Sequence, residues 1–81
     1  MEIENRLKDV FAKTFNVSEQ EISPETRVEN LHEWDSLGQL RLIMNVEAEF
    51  QISFHIEEIQ ELTSFETLLK SIIEKKSPDK I

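Results

Sequence analysis

The chain of 81 residues has no cysteine, a single glycine and only two prolines, and its apolar runs are no longer than three residues, as in Leu42-Ile43-Met44. Each shortage excludes something. Without cysteine there is no disulfide framework, thiolate metal site or thiol nucleophile, so the fold rests on apolar packing. Without a long apolar run nothing spans a membrane. The start, Met1-Glu2-Ile3-Glu4-Asn5, is acidic and lacks the basic flank and apolar stretch of a secretory signal, so the expected location is cytoplasmic. Positive charge is also scarce: nine Lys and Arg stand against 17 Asp and Glu, for a net charge of −8. Nucleic acid and anionic lipid would repel such a chain, and partners should be basic. At this length the chain is one domain that buries only about 60% of its unfolded surface, with a small core. A monomer is expected.

What charge there is lies unevenly. Between Val28 and Leu69 the only base is Arg41, against nine acids: Glu29, Glu33, Asp35, Glu47, Glu49, Glu57, Glu58, Glu61 and Glu66. That stretch carries the full net charge. A run of this kind keeps a small protein soluble, and it also offers basic partners a salt-sensitive docking face.

Helical periodicity organises most of the chain. Ile3, Leu7, Val10, Phe11 and Phe15 recur at steps of three and four and predict a first helix over Glu2 to Phe15. The period is lost from Asn16 to Asp35, a long loop containing Ser23-Pro24 and pinned by Val17, Ile22, Val28 and Leu31. Ser18-Glu19-Gln20-Glu21 allows one helical turn inside it. Loops of this length are often functional. Helix resumes at Ser36, with Leu37, Leu40, Ile43, Met44 and Phe50 read as one broad face that Leu42 and Val46 widen, and it ends near Gln51. Ile56, Ile59 and Leu62 predict a short helical segment. Thr63-Ser64-Phe65-Glu66 reads as a capping box opening a last helix through Phe65, Leu68, Leu69, Ile72 and Ile73. Lys75 and Lys76 suit its carboxyl end. The expected fold is all-α: a small four-helix bundle of three main helices and one short one, with a long loop after the first. Residues 1–76 form the domain and 77–81 a disordered tail.

Few residues could carry catalysis. Ser36-Leu37-Gly38 is half of a nucleophile elbow, but Trp34 stands where the first glycine belongs and no strand precedes it. A serine nucleophile would need His32 or His55 as base, in a cleft that a small bundle hardly provides. His32, Glu33 and Asp35 match no common metal-ligand spacing, so no metal site is expected. His55 suits a cap or surface position. Ser36 itself allows two readings. It is an N-cap forming a capping box with Gln39, or it places a phosphate at a helix amino terminus, where free N–H groups and the dipole favour one.

Trp34-Asp35-Ser36-Leu37, at the start of the second helix of an acidic chain this short, resembles the phosphopantetheine attachment site of acyl carrier proteins. The likeness extends from the first helix through the loop ending at Leu31, the run Leu40 to Phe50 and the Ile52 to Leu62 segment. It implies that Ser36 bears 4'-phosphopantetheine, donated by coenzyme A through a phosphopantetheinyl transferase. It also implies a non-catalytic carrier that presents acyl thioesters to partner enzymes. Asp35 would help the transferase recognise the site, and Leu37 would pack near the arm. Leu40, Ile43, Met44, Val46, Ile59, Leu62 and Leu68 would line or border an acyl pocket, or simply pack the core. Arg41, Glu47, Glu49 and Glu57 would meet partners: an acyl-loading ligase or acyltransferase, and synthase-type enzymes with basic surfaces. Gly38, Arg41 and Ala48 stand where acids are common in fatty-acid carriers, and Glu33 and Trp34 replace small residues. A specialised lipid- or polyketide-like pathway with a short or glyceryl group is therefore expected. Gly38, costly in a helix, would serve close approach of the arm or a partner. An aminoacyl or peptidyl carrier and an unmodified acidic interaction module are the rival readings.

Overall fold

The computed structural model describes residues 2–76, so the expected tail at 77–81 lies outside the described residues. Among the described residues four α-helices follow one another: α1 (Glu2–Phe15), α2 (Ser36–Phe50), α3 (Ile56–Ile59) and α4 (Phe65–Lys76), with a 3-10 turn at Glu19–Glu21 inside the first loop. The all-α expectation holds, and among the described residues the only β-type pairing is an isolated bridge between Arg27 and Ser64. No helix among them is long and apolar enough to cross a membrane.

α1 packs on α2 and α4. It does so through the side chains its spacing placed on one face: Leu7, Val10, Phe11 and Phe15 are buried. Phe11 is the hub of an aromatic cluster. Its ring centroid lies 5.1 Å from Trp34, edge-on, and 5.2 Å from Phe65, arrangements that add to plain burial. α1 and α2 each end at a residue in the left-handed region, Asn16 at φ 57° and Gln51 at φ 56°. The Gln51 N–H closes α2 onto the carbonyl of Glu47. From the last turn of α4, Lys76 donates to the Phe50 carbonyl at 3.1 Å, so it serves the end of α2 as well as its own helix.

The long loop is not structureless. Ile22 and Leu31 are buried and Val17 and Val28 pack against the core. Val28 N–H donates to the Thr63 carbonyl at 2.9 Å and Phe65 N–H to the Thr26 carbonyl at 2.8 Å, stitching the loop to the start of α4. Ser18 caps the 3-10 turn by accepting from Gln20 N–H.

Two local expectations are corrected. The last helix is capped by Ser64, not Thr63: Ser64 Oγ accepts the Thr67 N–H at 3.1 Å and Thr67 Oγ1 accepts the Ser64 N–H at 3.1 Å. Thr63 instead gives its carbonyl to the loop. The apolar residues of α2 do not form one broad face. Leu42, Ile43, Val46 and Phe50 are buried on one side, while Leu37, Leu40 and Met44 are 63%, 56% and 62% exposed on the other. A step of about 100° per residue puts positions 37, 40 and 44 opposite 42 and 46.

Candidate functional site

The amino terminus of α2 sits where the long loop delivers it. Asp35, not Ser36, is the N-cap: its side-chain oxygen accepts the Gly38 N–H at 2.8 Å, and its carbonyl accepts from Gln39 N–H at 2.7 Å. Both residue types are good caps, but the chain enters the helix one residue earlier than the capping-box reading required. Ser36 is therefore the first helical residue, exposed and relieved of any capping duty. The N–H groups of a helix's first turn have no carbonyl behind them, and the dipole there is positive.

Gly38 is explained by the chain itself rather than by an arm or a partner. A methyl group there would lie 2.5 Å from the Glu33 carbonyl oxygen and 2.9 Å from the Phe15 ring. The glycine lets the loop lie directly on α2, which fixes Asp35 and Ser36 against the core.

Trp34 and Gln39 are joined beside Ser36 by a contact that the sequence did not announce. Trp34 is 2% exposed and packs on Phe11 and Phe15. Its buried indole N–H needs an acceptor and finds Oε1 of Gln39 at 2.5 Å. The same amide donates through Nε2 to the carbonyls of Ile59 at 3.1 Å and Leu62 at 3.2 Å, at the end of α3. Trp34 and Gln39 stand at the positions a hydrophobic staple would pair, but Gln39 is polar and the link is a hydrogen bond, so no staple signal was present in the sequence.

Beside Ser36 lies a cleft of about 550 Å³. Its walls are Val28, Trp34, Ile59 and Leu62, and its rim is polar, with Asp35, Ser36, Gln39, Gln60 and Thr63. Of the residues expected at an acyl pocket, the structure brings Ile59 and Leu62 to this cleft. Ile43, Val46 and Leu68 are buried in the core, and Leu40 and Met44 face outward. The residues expected to meet partners divide in the same way. Arg41 and Glu57 are exposed. Glu49 pairs with Arg6 Nε at 3.0 Å, and Glu47 accepts the Phe54 N–H at 3.0 Å, bracing the turn after α2. His55 caps α3 as its N-cap residue; its N–H donates to Glu58 Oε1 at 2.7 Å. Glu58 also pairs with Lys75 at 3.0 Å. The His55 N–H and then the Lys75 ammonium hold its carboxyl below the usual glutamate range.

Comparison with known proteins gives this geometry a context. Residues 5–72 match the family described as "Phosphopantetheine attachment site". The acyl carrier protein of Rubrobacter xylanophilus is 30% identical over 73 residues, 90% of each chain. That of Buchnera aphidicola subsp. Baizongia pistaciae is 39% identical over 71 residues, covering 86% of this chain and 90% of the relative. The solution structure of holo acyl carrier protein from Geobacter metallireducens superposes with a TM-score of 0.82 at 27% identity, over 93% of this chain and 86% of the other. The site suits such a group: an exposed hydroxyl on the first residue of a fifteen-residue helix puts a phosphate ester where free N–H groups favour negative charge, and the adjoining cleft is apolar within and polar at its rim. The chain thus belongs to the acyl carrier proteins of the phosphopantetheine-attachment family, non-catalytic carriers whose prosthetic group is 4'-phosphopantetheine.

Proposed function

We propose that Ser36 is the attachment residue and that the chain is a substrate of a phosphopantetheinyl transferase. The observation that carries this reading is the division of labour at the helix start: Asp35 caps α2 and leaves the exposed Ser36 hydroxyl free to be esterified. In that step the Ser36 oxygen bonds to phosphorus, the diphosphate bond of coenzyme A breaks, and adenosine bisphosphate leaves while the hydroxyl proton passes to base. The bound arm supplies a thiol that holds acyl groups as thioesters. The chain's own residues position it: Gly38 and Trp34 hold the loop on α2, Asp35 fixes the first turn and offers the transferase a negative charge, and Leu37 flanks the arm.

Partners are read on the outward side of α2. Leu37, Leu40 and Met44 form an exposed apolar stripe next to Arg41, with Glu57 exposed on α3. Glu47 and Glu49 contribute field rather than free side chains, because both are engaged within the chain. This suits weak, salt-sensitive docking to a loading ligase or acyltransferase and to synthase-type enzymes with basic surfaces, in the cytoplasm and as a monomer. Arg41, exposed on α2, supports a specialised pathway over bulk fatty-acid synthesis.

Intact mass before and after incubation with coenzyme A and a broad-specificity transferase tests the assignment. The parent should gain one phosphopantetheine and Ser36→Ala none. Because Asp35 is the cap, Ser36→Ala should keep its fold, so loss of modification would report the hydroxyl alone. Modification of the alanine variant would overturn the assignment.

A further inference from the structure

One side chain crosses the cleft beside Ser36 in a way that attachment chemistry does not require. The Gln39 amide joins the loop, through the Trp34 indole N–H, to the carbonyl of Ile59, the last residue of α3, and to that of Leu62 just beyond it. Leu62 is 4% exposed and the indole 2% exposed. The Ile59 carbonyl also accepts the Leu62 N–H at 3.1 Å, so pushing the amide aside would leave two polar groups unpaired against an apolar wall, the indole N–H and the Leu62 carbonyl, an expensive outcome. Trp34 and Leu62 also belong to the close-packed core that includes Leu42, Val46 and Leu68, all three at 0% exposure. An alkyl chain entering between α2 and α3 must break the bridge and then displace that core.

We propose that Gln39 is the specificity-determining residue of this carrier: its amide shuts the space between α2 and α3 to long alkyl chains and keeps a short acyl group with hydrogen-bonding substituents in the polar-rimmed cleft. The inference rests on the reading of Ser36 as the attachment point. Oε1 of Gln39 has one lone pair beyond the indole bond, and Gln60 and Thr63 at the rim add donors and acceptors. A hydroxyacyl or aminoacyl group of a few carbons can use these without entering the core. A straight alkyl group gains nothing from them.

The experiment loads the parent, Gln39→Leu and Trp34→Phe from octanoyl- and 3-hydroxybutyryl-coenzyme A with a broad-specificity transferase. It then measures cleavage of each thioester by hydroxylamine and the methyl NMR shifts of Leu42, Val46 and Leu68. In the parent the hydroxybutyryl thioester should be cleaved more slowly than the octanoyl one, with core methyls unmoved between them. In Gln39→Leu the octanoyl thioester should be cleaved several-fold more slowly than the hydroxybutyryl one, and the core methyls should shift. Trp34→Phe, which removes the indole donor and trims the buried ring but leaves the Gln39 bonds to the Ile59 and Leu62 carbonyls, should move the same way by less, and it decides the matter if circular dichroism shows Gln39→Leu unfolded. A protected octanoyl chain in the parent, or a folded variant giving no more protection than the parent, overturns the inference alone. Absence of any mass gain overturns the Ser36 reading and the inference together.

Discussion

The two ends of this small bundle are held by different physics. Where α1 meets α2 and α4, fully buried apolar side chains do the work: Leu7, Phe11, Leu42, Val46, Phe65, Leu68 and Ile72 are all at 0% exposure. Around Ser36 and α3, individual directional bonds set the geometry: Asp35 to Gly38, the three bonds of Gln39, Glu47 to the Phe54 N–H, and Glu58 to Lys75. Burial is non-directional and fixes that the chain folds. Hydrogen bonds contribute little net stability each but prescribe distance and angle. A carrier needs both, a scaffold that survives handling by several enzymes and a site end whose shape is set bond by bond.

That contrast can be broken most severely from the scaffold side. Phe11→Ala removes the ring that joins Phe15, Trp34 and Phe65, and should cost about 3–5 kcal/mol. This is comparable to the whole stability of a domain of this size, so urea unfolding should show little or no native baseline. Retention of a midpoint close to the parent's would mean that the aromatic cluster is not the keystone.

Gly38→Ala comes next, because it acts where the two ends join. Alanine is the better helix former by up to about 1 kcal/mol, yet the added methyl would meet the Glu33 carbonyl oxygen at 2.5 Å, and backbone cannot rotate away. The clash should win, with a net loss of about 1–3 kcal/mol and amide shifts concentrated at residues 33–38. A gain in stability would show that the loop yields freely.

A smaller effect separates shape from charge at the cap. Asp35→Ala should cost about 1 kcal/mol in chemical denaturation. Asn caps as well as Asp, so Asp35→Asn should stay within a few tenths of a kcal/mol of the parent. If Asp35 also guides the transferase by its charge, the asparagine variant should be modified more slowly at unchanged stability. Equal rates for parent and Asp35→Asn would assign the residue to capping alone.

The same division explains what could be read from sequence. Apolar residues at steps of three and four announced α1 and α4 within a residue or so, because burial imposes periodicity directly on composition, while α3, expected through Leu62, ends at Ile59. Membership of the carrier family was legible through Trp34-Asp35-Ser36-Leu37 and its register. What escaped depends on single bonds. Asp35 and Ser36 are both good caps, and only the backbone path decides between them. Gln39 looked like the far half of a capping box, whereas its partners, Ile59 and Leu62, lie twenty and twenty-three residues away. Trp34 looked like a deviation in a loop and proved to be core. The exposure of Leu37, Leu40 and Met44 was available from their angles around the helix, and an apolar-rich stretch hid it.

The gentlest probe addresses the site end through pH. Glu58 is bound by the His55 N–H and by Lys75, and its carboxyl is held below the usual glutamate range. A carboxyl with a depressed folded value stabilises the fold above the unfolded value, and that contribution is lost as pH falls through the folded one. Acidification below the ordinary glutamate range should therefore loosen α3 first, seen as faster amide exchange at residues 56–62 while α1 and the buried face of α2 stay protected. Glu58 is partly exposed, so the change should be small and weaker at high salt. Lys75→Met should reproduce part of it at neutral pH, because it removes the ammonium from Glu58 and from the Phe54 ring, 5.2 Å away, and leaves the His55 bond in place. Uniform loss of protection across all four helices on acidification would mean that α3 is not an independently adjustable element, and that the site end is locked to the scaffold more tightly than its bonds suggest.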